Sequence, residues 1–226
     1  GMHVIGVAAK RKNAGDTAVF HAEDETDMTF LGIIAFLDPP KPDAKEAIHG
    51  LYDAGVQVKV ISGDAPVVVE HVCKLVGMKV GEQNAVTGSD LEKMSEEELS
   101  SVVEKNDIFA RLSPMQKQRV VDAFRKNGHV VGYMGDGVND APSLHDADVG
   151  ISVDNATDVA KASADIILLE KSLTVILNGI YEGRRIYGNI LKYMKMALSG
   201  NFGNVFSVLI ASIFLPFLPI LPLQIL

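Results

Sequence analysis

The chain has 226 residues, 47% of them hydrophobic, and a formal net charge of −8. That length holds one or two folded units, and an acidic balance of this size argues against a general nucleic-acid partner. Its one cysteine, Cys73, excludes an internal disulfide, and no Cys-x-x-Cys or zinc-type spacing occurs. In chain order, Val4–Ala9 is predicted to be a strand and Asn13–Asp27 a polar, turn-rich loop. The apolar run Phe30–Leu37 reads as a second strand. Asp43–Ala54 has helical spacing, with Ala44, Ala47, Ile48 and Leu51 on one face. Val56–Ile61 is rich in β-branched residues and ends at Ser62-Gly63-Asp64. Val67–Val76 follows as a helix stopped by Gly77, with Cys73 as a small buried hydrophobe. Ser95 and Glu98 make a capping box for a helix through Glu104. Ile108–Ala110 is a short strand, and Pro114–Lys126 a helix with proline in its first turn. Val130–Met134, Val149–Ser152 and Ile166–Leu169 are further strands separated by short helices. Acidic runs at His21–Asp27 and Ser95–Glu104 read as solvated surface. No signal peptide opens the chain; the opening residues already resemble a strand inside a domain, which leads us to expect a segment of a longer protein.

This alternation predicts an α/β fold, a doubly wound parallel sheet with helices on both faces, followed by a long stalk/transmembrane α-helix. Ligands of such sheets sit beyond the strand C-termini. The Ser62, Lys117 and Asp136 segments fall near such ends. Residues 135–143, Gly-Asp-Gly-Val-Asn-Asp-Ala-Pro-Ser, carry the most chemistry. A strand delivers Asp136, Asn139 and Asp140 onto a glycine-rich turn that opens a helix. Carboxylates there can hold Mg²⁺, and glycines let backbone approach a phosphate. Metal and dipoles would then carry the charge of a phosphoryl group.

Gly135–Ser143 resembles the hinge motif of P-type ATPases, the ion pumps that phosphorylate themselves on an aspartate. Asp38-Pro39-Pro40-Lys41 resembles their Asp-Pro-Pro-Arg motif, with Lys for Arg. Ser62-Gly63-Asp64 resembles their Thr-Gly-Asp, with Ser for Thr. Arg111–Lys117 resembles the segment with their phosphate-site lysine. The resemblance runs from about Phe30 to Leu226 and implies a haloacid-dehalogenase-like phosphorylation domain using ATP and Mg²⁺. By it, Asp136 is the Mg²⁺ ligand, supported by Asp140, and Asn139 donates to a phosphoryl oxygen. Lys117 is a point charge on the phosphoryl group. Ser62 and the Gly63 backbone bind phosphate oxygens. Asp64 approaches nucleotide or hinge, or caps the following helix, and Arg111 contacts nucleotide phosphates. Asp38 and Lys41 are hinge residues, although lysine loses the bidentate geometry of arginine.

The family's nucleophile lies in Asp-Lys-Thr-Gly-Thr, a string that does not occur here. The one Asp-x-Asp, Asp146-Ala-Asp148, falls in a loop. The expectation is therefore the C-terminal part of a phosphorylation domain, unable to form the aspartyl-phosphate alone. It would be poorly stable, with a groove where the missing first strand belongs. The implied divisions are residues 1–29, the end of a nucleotide-binding domain; 30–171, the phosphorylation domain; 172–195, a stalk helix; and 196–226, a membrane helix with the start of a second span.

Phe202–Leu226 contains no charged residue. About 20 apolar residues span a bilayer, which places one membrane helix at Met196–Leu215. Pro216, Pro219 and Pro222 end it in a turn. Arg184, Arg185, Lys192 and Lys195 precede it, putting the globular part in the cytoplasm of a multi-pass cell-membrane protein. Asn201 and Asn204 lie three apart on one helix face, as ligands of a transported divalent cation or as interhelical hydrogen-bonding partners. Lys59–Val68, the Asp-Pro-Pro-Lys variant and Asn201–Val208 look most like the bacterial magnesium-transporting P-type ATPases. That implies ATP-driven Mg²⁺ movement into the cytoplasm, in partnership with lipid and the rest of the pump. A calcium-type pump, a non-catalytic membrane relative and a soluble haloacid-dehalogenase-like phosphatase stay open.

Overall fold

β1 (His3–Ala9) and β2 (Thr29–Phe36) form an antiparallel pair with a register shift between Val7 and Ala8. The computed structural model describes residues 3–11, 21, 25–36, 39–78, 85–170 and 172–215. Both strands fall within a residue of their predicted limits. They pair with each other, across the division expected at residue 29, and not with the parallel strands that follow.

The parallel part is α/β, as predicted, but its strands form two sheets. β3 (Val60–Ile61), β4 (Val86–Thr87) and β5 (Ile108–Ala110) pair in the order β3-β5-β4. β6 (Gly132–Met134), β7 (Val149–Val153) and β8 (Ile166–Leu168) pair in the order β6-β7-β8. Among the described residues, β3 and β6 each have a strand neighbour on one side only. Ile61 and Val131 each pack against two of the three core clusters.

Two strands are shorter than their apolar runs. Val56 N–H closes the end of the preceding helix on Leu51 O at 2.9 Å, so the run at 56–59 joins no ladder. Val130 is 87% exposed, and the Val131 N–H goes to the Asp148 carboxylate instead of a strand.

The helices follow their local signals closely. α1 (Ala44–Asp53) buries Ala44, Ala47, Ile48 and Leu51, the face its spacing predicts. α2 (Pro66–Leu75) buries Val69 and Cys73. It stops before Gly77, whose φ of 78° suits glycine. A Cβ there would also lie 2.9 Å from the end of the His49 side chain on α1, which would have to move. α3 (Gly88–Leu91) is one short turn. α4 (Glu96–Lys105) opens on the predicted Ser95–Glu98 box. α5 (Pro114–Lys126) has proline at its start and a second reciprocal box, Ser113 with Gln116, which the sequence reading passed over. Phe124 of α5 meets the fully buried Phe109 of β5 edge to face, with centroids 6.4 Å apart. α6 (Ala141–Asp146) and α7 (Asp158–Ala162) flank β7 in sequence.

α8 (Leu173–Phe214) is one unbroken helix of 42 residues, the long stalk and transmembrane helix expected to follow the sheet. At 1.5 Å per residue it is about 63 Å long. Its start is tied to α1: the Asp43 carboxylate accepts from Ser172 Oγ at 2.5 Å and from Leu173 N at 3.2 Å. From Ile176 onward the chain forms a second unit. There α8 is long and apolar enough to cross a membrane, and its apolar window is unburied. Ser207 and Ser212 donate to the carbonyls of Gly203 and Val208, so neither hydroxyl needs water. The expected proline turn and second span, Asp38, and most of the loop at 13–27 lie outside the described residues.

Cys73 is 1% exposed, and burial pushes its thiol up to about 11. Its reaction with an aromatic disulfide reagent at pH 8 is expected to be about a hundredfold or more slower in the native chain than in urea. Equal rates would show that α2 does not pack as described.

Candidate functional site

The turns after β3 and β5 are stapled together. Ser62 N donates to Phe109 O at 2.9 Å, Leu112 N to Ser62 O at 3.1 Å and Arg111 N to Asp64 O at 2.9 Å. Arg111 takes a left-handed φ of 54° to make this closure. Ser62 Oγ accepts from Asp64 N at 3.0 Å and donates to Asp64 Oδ2 at 3.1 Å. The Asp64 side chain is thus held by Ser62. It does not cap α2, whose N-cap is Ala65. A Cβ on Gly63 would make an ordinary contact with Leu112 O at 3.6 Å, so this position is not closed to a side chain.

The second loop follows β6. Gly135 N donates to Ile151 O at 3.1 Å, and Gly135 O accepts from Ser152 Oγ at 2.9 Å. Asp136 O accepts from Thr157 N at 3.1 Å. A single 3₁₀ turn over Val138–Asp140 then leads into α6. These bonds leave the Asp136 side chain exposed at a cavity of about 250 Å³ lined by Lys41, Met134, Gly135, Asp136, Val153 and Asn155. Lys41, expected at a hinge, is therefore beside the carboxylate expected to bind metal. Asn139 is exposed on the 3₁₀ turn.

Asp140 is used differently from the sequence expectation. Its Oδ1 accepts from Lys117 Nζ at 2.7 Å and from Tyr133 Oη at 2.9 Å, and its Oδ2 from Gly137 N at 3.2 Å. The Lys117 and Asp140 side chains are each 13% exposed. Burial alone would raise the Asp140 carboxyl; the Lys117 ammonium, Tyr133 hydroxyl and Gly137 N–H outweigh it and hold the group below the usual carboxylate range. Gly135 makes room for this arrangement, because a Cβ there would fall 2.5 Å from Asp140 Cβ. With three donors on it, the carboxylate is better suited to anchoring a lysine than to ligating a metal.

Among the described residues no three His, Cys, Asp or Glu side chains gather into a metal cage. One exposed carboxylate beside an open cavity is nevertheless the donor set Mg²⁺ uses when it keeps its waters and shares a phosphate. Asn201 and Asn204 are exposed on α8, in the second unit. Sequence reasoning missed Tyr133, Ser152 and Thr157, which fix the β6 loop and carry no motif signal. Tyr133 sat inside an apolar strand pattern, where a phenol passes for core.

Residues 5–148 match the haloacid dehalogenase-like hydrolase family, and the chain belongs to it. Over its whole length it is 52% identical to the magnesium-transporting ATPase, P-type 1, of Salmonella typhimurium, and 52% identical to the protein of that name in Escherichia coli K12. It is 37% identical over 226 residues to a calcium-transporting ATPase of Bacillus subtilis. The chain spans about a quarter (25%) of the length of each of these relatives.

Asp140→Asn removes the charge that holds Lys117 and should cost about 2 kcal/mol at pH 7, the scale of a hydrogen bond to a charged group. A carboxyl depressed in the folded state stabilises fully above its ordinary pKa and loses that contribution as pH falls through its folded value. The gap between the two proteins in urea unfolding should therefore close in acid, below the usual carboxylate range. A gap that stayed constant down to that pH would remove the ion pair from the account.

Proposed function

We propose that this chain is part of an ATP-driven cation pump that works through an aspartyl-phosphate, with Mg²⁺ as the transported ion. The observation that carries this reading is the β6 loop, in which Asp136 stands free at a cavity while Asp140 holds Lys117, in a chain 52% identical to a magnesium-transporting ATPase. Residues 1–29 close a nucleotide-binding domain, 30–171 form the C-terminal part of the phosphorylation domain, 172–195 are the stalk, and 196–226 begin the membrane part. The apolar portion of α8 lies in the bilayer, and the basic residues before it keep the globular part in the cytoplasm.

Phosphoryl transfer asks a protein for positioning and charge more than for covalent chemistry. Asp136 would hold the catalytic Mg²⁺, which when bound neutralises charge on the phosphoryl oxygens. Lys117 places a positive charge on the same group, and Asp140 fixes its direction. Gly63 N–H and Asn139 donate to phosphoryl oxygens, as does Ser62 Oγ once its one proton turns away from Asp64, while Asp64 and Arg111 face the nucleotide. The nucleophilic aspartate belongs to a segment outside this chain. The one-sided edges of β3 and β6, bordered by Ile61 and Val131, support a strand from that segment lying between them. Asn201 and Asn204 are the proposed cargo ligands. The 37% identity to a calcium-transporting ATPase keeps a calcium-type pump as the second reading.

The gene upstream of the Gly1 codon tests this directly. An in-frame Asp-Lys-Thr-Gly-Thr preceded by apolar spans is expected, and a stop codon close upstream would sink the ATPase assignment. In membrane vesicles carrying the full protein, Asp136→Asn should lower ATP hydrolysis and ²⁸Mg²⁺ uptake together by about 10²-fold or more. Uptake of Ca²⁺ in place of Mg²⁺ would favour the second reading.

A further inference from the structure

Ser143 stands apart from the rest of the core. It is fully buried on α6, and its Oγ is the one buried side-chain polar atom among the described residues without a hydrogen-bond partner. Buried hydroxyls are normally satisfied, and an orphan is costly. Next to it on α6, Leu144 packs in one buried cluster with Tyr133 of β6. Burial and the Asp140 charge both push that phenol's pKa up, and the Ser143 hydroxyl partly offsets them. Tyr133 is itself 7% exposed on β6 and donates to Asp140 Oδ1 at 2.9 Å, the oxygen that also takes Lys117.

We propose that Tyr133, backed by Ser143, is a positioning residue that locks the Asp140 carboxylate and through it aims Lys117. Three contacts restrain Asp140: the Lys117 ammonium, a loop N–H from Gly137 and the Tyr133 hydroxyl. Lysine is the group to be aimed and cannot serve as its own reference. Gly137 lies in the same loop as Asp140. Tyr133 alone donates from a sheet strand, where β7 fixes the backbone. A Ser143 hydroxyl turned toward the phenol oxygen would polarise it and strengthen its bond to Asp140. An ordinary core tyrosine would need only its ring. The role assigned here needs its oxygen. The catalytic consequence rests on the phosphoryl-transfer reading above, whereas the geometric one does not.

Lysine acylation of the full chain in detergent separates these roles. Acetylation at fixed pH is followed site by site by peptide mass spectrometry. Lys59, also 13% exposed, is the internal control for general loosening. Tyr133→Phe keeps the ring and removes the donor. It should raise Lys117 labelling relative to Lys59 by roughly ten- to a hundredfold, the population change for one lost hydrogen bond to a charged group. Ser143→Ala should move Lys117 the same way by less, and it serves where the phenylalanine variant folds poorly. Lys117 labelling that tracks Lys59 in both variants overturns the proposal. In the full-length protein Tyr133→Phe should lower kcat for ATP hydrolysis with KM for ATP held. An unchanged kcat overturns the catalytic half. The labelling result decides the positioning claim whatever the unsubstituted protein hydrolyses, so failure of the pump reading is recognisable by itself.

Discussion

A lysine charge can be offered to an anion only if something holds it there between visits, and here the Lys117–Asp140 pair does so at 2.7 Å. Taking both charges partly out of water is costly, and the cost is met only when the remaining lone pairs are satisfied. Tyr133 and Gly137 satisfy them. The pair ties the start of α5 to the 3₁₀ turn before α6, 23 residues apart, and Tyr133 adds strand β6. Its geometry is therefore inherited from the packing beneath. The Phe109–Phe124 contact seats α5 on β5, and the Ser113–Gln116 box fixes where α5 begins. On the other side, a Cβ at Gly150 would lie 2.4 Å from Leu144 O, so glycine lets α6 press against β7.

Local rules were legible in the sequence because they are enforced locally. The buried face of α1, the Ser95–Glu98 box and the stop at Gly77 each depend on residues within a turn or two. Strand lengths were less legible. The run at 56–61 has β-branched character throughout, yet a ladder needs a neighbour, and only Val60 and Ile61 have one. Glycine-rich residues 135–143 announced a tight loop between a strand and a helix, but chemical type alone could not divide labour between its two carboxylates. Asp136 and Asp140 look alike as letters. Their difference is made by Lys117, 23 residues away, and by a phenol hidden in a strand. Ser143 was quoted in the motif and given no part, since a serine after proline in a first helical turn carries no sign of deep burial.

The long helix raises a related point about continuity. A stalk and a membrane helix were separated on composition, where charged residues give way to apolar ones. The backbone does not register that change: residues 173–214 form one helix, the glycines at 200 and 203 included. Asp43 matters more to this helix than its composition does. It occupies the N-cap of α1 without capping it, and its carboxylate is spent on the first turn of α8.

The half-paired strands β3 and β6 have a further consequence, for the behaviour of the chain in solution. An edge with free N–H and C=O groups is a template for any extended segment, and apolar Met134 stands exposed along one of them. Natural edges are blunted by charge, proline or a covering loop. Neither Val60–Ile61 nor Gly132–Met134 contains a charge or a proline. Two molecules meeting at these edges could continue each other's ladders, which makes self-association a matter of concentration. A short parallel strand supplied from outside would suppress it by occupying the same hydrogen bonds.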